Sequence, residues 1–114
     1  MAAVYVNNLV VNAGSDFNQT FTLEGANTNS ALNLTNYTIT AQMRKWAGSS
    51  SATSFTTRVI TPSTSGKIEL SLTSEETSNL KPGRYIYDIL IEDTTGSKTR
   101  VVEGMVLVRE GVTR

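Results

Sequence analysis

The chain has 114 residues, ten basic and ten acidic side chains, and neither cysteine nor histidine. That length suits one core rather than two. Zero net charge without a basic run argues against a nucleic-acid partner, and the missing thiols exclude a disulfide framework or a thiolate metal site. Ser, Thr and Asn make up about a third of the residues, which suits wet strand faces and turns.

Period-two alternation dominates along the chain. Val4, Val6 and Leu9 to Val11 predict a first strand, broken at Asn7-Asn8 by a bulge or bend, and Asn12 to Ser15 turn. Phe17, Gln19, Phe21 and Leu23 then share one face. A polar loop runs from Glu24 to Ala31, after which Leu32 and Leu34 return to the core. Tyr37, Ile39, Ala41 and Met43 alternate with Thr38, Thr40, Gln42 and Arg44, as a half-buried strand does. The Gly/Ser-rich stretch from Ala47 to Ser54 reads as a loop.

Phe55, Thr57 and Val59 form the next alternation, then Ile68, Leu70 and Leu72. Thr73 to Glu76 is a capping box, the one helical signal, and Pro82-Gly83 ends it after about one or two turns. Tyr85 to Glu92 and Thr99 to Val108 flank a hairpin connection at Asp93 to Ser97, with Gly96 at a positive φ. These two strands are apolar on both faces: Ile86, Leu90, Val102, Val106 and Val108 are read on one, Tyr87, Ile89, Val101 and Leu107 on the other. They should therefore be central. Gly104 marks a bulge or a close backbone approach. The expectation is an all-β fold over 1–114: one immunoglobulin-like antiparallel β-sandwich of about seven strands with one short helical turn. The expected core includes Phe21, Leu34, Tyr37, Ile39, Ile68, Leu70, Tyr87, Ile89 and Val101.

Catalytic chemistry finds few candidates. Without histidine the commonest general base is missing, and no Gly-rich phosphate loop precedes a helix. Asp88 and Glu92 share a strand face, but Arg84, Lys98 and Arg100 stand near enough to pair with them. A calcium site at Glu92-Asp93 has too few carboxylates. The Asn-x-Thr triplets at Asn18, Asn33 and Asn36 are what chance gives in so Thr- and Asn-rich a chain. No catalytic, cofactor or metal residue is expected. No segment approaches the roughly 20 apolar residues of a membrane helix, and Met1 to Val6 lacks the character of a signal peptide. Synthesis in a reducing cytoplasm, with no membrane partner, is the expectation.

Partner contact has better candidates. Trp46 follows Arg44 and Lys45 at a strand end, where it either caps the core, anchors a partner protein or stacks on sugar. Residues 1 to 12 form an uncharged, strand-prone run that includes Tyr5. Such an edge has to be paired within the domain or against another chain. Tyr5, Arg44, Lys45 and Trp46 are the candidate partner-binding residues.

Three segments taken together carry a resemblance. They are Phe17 to Phe21 leading through Leu32–Ile39 to Gln42–Arg44, then Gly66–Thr73 leading to Leu80–Asp88, and last Gly96–Gly104. In this order they resemble small tailed-phage virion proteins and the immunoglobulin-like N-terminal domain of phage baseplate upper proteins. The resemblance implies a non-enzymatic protein of the virion, made in the host cytoplasm, that docks on capsid or other virion proteins and on sister copies. A baseplate anchoring domain normally leads into a fibre. This chain stops at Arg114, so a capsid decoration (cement) protein is the leading expectation. A tail, baseplate or fibre-adaptor protein is the alternative, and a host-carbohydrate adhesion module the alternative of another class. Leu80-Lys81-Pro82-Gly83 before Tyr85 and Tyr87 is also similar to the tyrosine corner of fibronectin type III domains, with the choice between the two tyrosines open.

Overall fold

The computed structural model describes residues 5–24 and 31–112, and for Tyr5 the backbone alone. The readings made above of Val4 and of the loop at 25–30 fall outside these residues. Alternating apolar and polar residues build β1 (Tyr5–Val6), β2 (Leu9–Asn12), β3 (Phe17–Thr22), β4 (Thr38–Arg44), β5 (Thr53–Ser54), β6 (Thr56–Val59), β7 (Lys67–Leu72), β8 (Gly83–Glu92) and β9 (Lys98–Arg109). β1 and β2 are halves of one strand broken at Asn7-Asn8. β5 and β6 are halves of another that changes sheets at the buried Phe55.

The larger sheet has the order β1-β9-β8-β4-β5, with β2 also on β9, and the smaller has the order β3-β7-β6. Every pairing is antiparallel except those of β1 and β2, which run parallel to β9. The two sheets pack as an all-β sandwich. Between them lie Leu9, Val11, Phe17, Phe21, Leu34, Met43, Ile68, Leu70, Ile89 and Val106, all buried.

Two positions expected in the core are only half buried. Tyr37 precedes β4, and Ile39 lies in its first residues, near the end of the sandwich, so each packs against the core's margin. The faces of β9 also differ from expectation. Ile89 pairs with Val102 but Leu90 with Arg100, so Val101 is an extra, unpaired residue of a bulge. The bulge turns both Val101 and Val102 inward, and it puts Val102, Val106 and Val108 on the face of Tyr87 and Ile89. Gly104 answers the other part of that reading, a close approach: a side chain there would meet the backbone of Asn7.

The helical signal becomes α1 (Ser74–Ser78), with Thr73 accepting from the Glu76 N–H at 3.2 Å and the Glu76 carboxylate accepting from the Thr73 N–H at 2.9 Å. Its Thr77 is wholly buried. That hydroxyl accepts from the Gly14 N–H at 3.0 Å and donates to the Ser15 carbonyl at 2.8 Å, tying the helix to the β2–β3 turn.

Candidate docking face

Register decides what the larger sheet shows to solvent. Arg44, Ile86 and Met105 form one cross-strand row, and Arg84, Leu107 and Val10 the next. A third row holds Gln42, Asp88, Glu103 and Val6. All these side chains point away from the core, because their neighbours Met43, Tyr87, Val106 and Leu9 point into it. The outer face therefore carries a contiguous apolar strip: Val6 is 76% exposed, Val10 51%, Met105 45% and Leu107 41%, with Ile86 beside them. Charged residues rim the strip. A depression of about 520 Å³ opens on the same face, with Gln42, Arg44, Ile86, Asp88, Arg100 and Met105 in its wall.

The candidate partner residues are distributed unevenly around this face. Arg44 lies on it, next to Ile86, and its guanidinium donates to the Ser49 carbonyl at 2.6 Å and to the Gln42 side chain at 3.2 Å. The first bond fixes the start of the loop after β4, which ends earlier than the sequence suggests, because Thr53 and Ser54 pair with β4 as β5. Lys45 points elsewhere, its ammonium 4.8 Å from the centre of the Tyr85 ring. Trp46 is 62% exposed, which corrects the expectation that it caps the core. It stands in the bend beyond the last β4–β8 pair, Arg44 with Ile86, where no strand remains to cover it. Its neighbour Ala47 lines the depression on the outer face. Tyr5 pairs through its backbone with Val102, and its side chain lies outside the described residues. Sequence reading missed the strip itself, although apolar residues on both faces of β8 and β9 were its signal.

Several charged groups near this face and the hairpin have structural partners. Arg100 pairs with Asp88 at 3.3 Å and Lys98 with Glu92 at 3.8 Å, both at the surface, where such pairs contribute about 0–1 kcal/mol. The Asp93 Oδ1 atom accepts from the Thr95 hydroxyl at 2.6 Å and from the Thr95 and Ser97 N–H groups. The Thr95 hydroxyl first, and then these backbone donors, hold the carboxyl below the usual range. The atom that a cation would want is thus committed to the hairpin turn. Asn33 does similar work, accepting from the N–H and hydroxyl of Thr35. The tyrosine corner resolves on Tyr85, whose hydroxyl donates to the Lys81 carbonyl at 2.7 Å. Among the described residues no three His, Cys, Asp or Glu side chains are grouped to hold a metal ion. No helix there is long and apolar enough to cross a membrane.

No protein-family model matches the chain, and no curated protein does. Among solved structures it is similar to an internalin-like protein of Listeria monocytogenes, at 13% identity and a TM-score of 0.42, over 95% of this chain and 28% of that one. The chain thus spans less than a third of that protein's length, and a likeness at this level carries no functional argument.

Proposed function

We propose that the protein is a non-enzymatic structural component of a tailed-phage virion, acting by docking its larger sheet's outer face onto other virion proteins. The observation that carries the docking part is the strip of Val6, Val10, Ile86, Met105 and Leu107. These five apolar side chains are contiguous across four strands and exposed together. Contiguous exposed apolar surface rimmed by charge is the composition of a protein interface. The virion assignment draws on the sequence resemblance alone. In its finer form the protein is a capsid decoration protein that clamps neighbouring capsid subunits by contact.

Virions assembled with Met105→Arg or Leu107→Arg protein test the reading. Both positions are exposed, so the variants fold and melt like the parent while incorporation falls by about tenfold or more. Normal incorporation of both variants overturns the docking face. A virion reconstruction reports the copy number: hundreds of copies on the head agree with decoration, and a few to dozens on the tail replace it with the adaptor role.

A further inference from the structure

Among the described residues the smaller sheet ends on β3, and no strand pairs with its outer side. The Leu23 N–H donates to the Gly66 carbonyl at 2.7 Å, and on the far side of β7 the Ile60 N–H donates to the Lys67 carbonyl at 2.9 Å. Antiparallel ladders alternate, so Phe17, Gln19 and Phe21 direct their backbone groups to β7, while Asn18, Thr20 and Thr22 direct theirs outward. Among the described residues the Thr20 carbonyl meets only the Gln19 side-chain amide, at 3.4 Å.

The other edges are blunted. β5 has two residues, β6 carries Arg58, and the β1–β2 edge is broken at Asn7-Asn8. β3 runs six residues without a charge or a proline, the condition under which an edge recruits another strand.

We propose that β3 pairs with β3 of a second copy of this chain, antiparallel about a two-fold axis at Thr20. Such a pairing sets the residue on the axis against its own copy, so a charge at that position would face itself. Here Thr20 meets Thr20, and Asn18 meets Thr22 on each side of the axis. Such uncharged, hydrogen-bonding pairs favour cross-strand contact. The three outward residues of each copy give about six backbone hydrogen bonds in this register.

Zero net charge leaves no long-range repulsion between copies. A six-residue pairing stays below the roughly 1,000 Å² of a stable interface. It is therefore weak in dilute solution and strengthened where copies are held side by side. The outer face of the larger sheet takes no part, so this inference stands apart from the docking reading.

Sedimentation equilibrium up to about 1 mM on the wild type, Thr20→Lys, Thr20→Glu and an equimolar mixture of the two variants tests it. The wild type shows a monomer–dimer equilibrium. Each variant alone dimerises at least about tenfold more weakly, and the mixture recovers wild-type association or better. Thr56→Lys, on the opposite edge, leaves association unchanged. The double variant Asn18→Lys/Thr22→Glu is self-complementary in this register and retains the dimer, whereas Asn18→Lys/Thr22→Lys loses it. These provide the readout should a charge at Thr20 prevent folding. A wild type that is monomeric throughout overturns the proposal, as does a mixture no tighter than its components.

Discussion

The Tyr87 hydroxyl donates to the backbone carbonyl of Asn7 at 2.6 Å, across 80 positions of sequence. Between them lies Gly104, the β9 partner of Tyr87. Because Gly104 has no side chain, the break between β1 and β2 can lie against β9 and come within reach of the phenol. The Asn8 side-chain carbonyl accepts from the Met105 N–H at 3.0 Å and closes the same break from the other side.

Burial raises the Tyr87 phenol well above its usual ionisation range. The folded protein therefore holds that proton at a pH where the unfolded chain releases its own, about 10. The linked stability is present in full below pH about 10 and is lost progressively above it. Urea midpoints should accordingly hold up to about pH 10 and fall as the pH rises beyond it. Tyr87→Phe should lower the midpoint at neutral pH, by about 1–2 kcal/mol for the unpaired Asn7 carbonyl, and should show a shallower alkaline decline. An alkaline decline as steep in the variant as in the parent would remove Tyr87 as its source.

Gly104→Ala puts a methyl group against the Asn7 backbone, which cannot give way as the end of a flexible side chain can. The expected cost is on the order of 1–3 kcal/mol. Proteolysis should show the change first in the β1–β2 segment, which has to move.

Leu70 is fully buried on β7, the middle strand of the smaller sheet, whereas Ile39 is half buried near one end of β4. Leu70→Ala should cost about 2–5 kcal/mol. Ile39→Ala should cost less than half as much, since its side chain is already partly in water. Denaturant midpoints of the two variants measure the difference directly.

What the sequence made legible was local. The strands around Phe21, Ala41 and Leu70, the capping box at Thr73 and the hairpin at Gly96 each follow from neighbours a few positions apart. The partition of β8 and β9 between faces did not, because valines and isoleucines occupy both faces and one unpaired residue, Val101, reverses the parity beyond it. The sheet change at Phe55 depends on two sheets meeting, and the exposure of Trp46 on where β8 stops pairing with β4. The docking strip is half legible: Val6, Val10, Ile86 and Leu107 read as apolar strand residues, Met105 escapes that reading, and the contiguity of all five exists only in the register.

Thr77→Val removes the acceptor of the Gly14 N–H and the donor to the Ser15 carbonyl while keeping the shape. Part-buried groups left unpaired cost about 1–3 kcal/mol. Thr77→Ser keeps the hydroxyl and should lose little beyond the methyl's packing. Thermal melts of the pair separate hydrogen bonding from volume.

Deleting residues 2 to 12 should abolish cooperative folding rather than reveal a docking element. The segment contains Leu9 and Val11, both buried, and it supplies all of β1 and β2. Its removal exposes the edge of β9 and leaves Tyr87 without the Asn7 carbonyl. The docking contribution of this segment is better isolated at Val10, which shares a row with Leu107 and is half exposed. Val10→Lys leaves the backbone pairing with β9 intact, so the melt should stay within about 0.5 kcal/mol of the parent while virion incorporation falls. A truncation that still melts cooperatively would contradict the burial of Leu9 and Val11. A folded Val10→Lys protein that incorporates normally would remove β2 from the docking face.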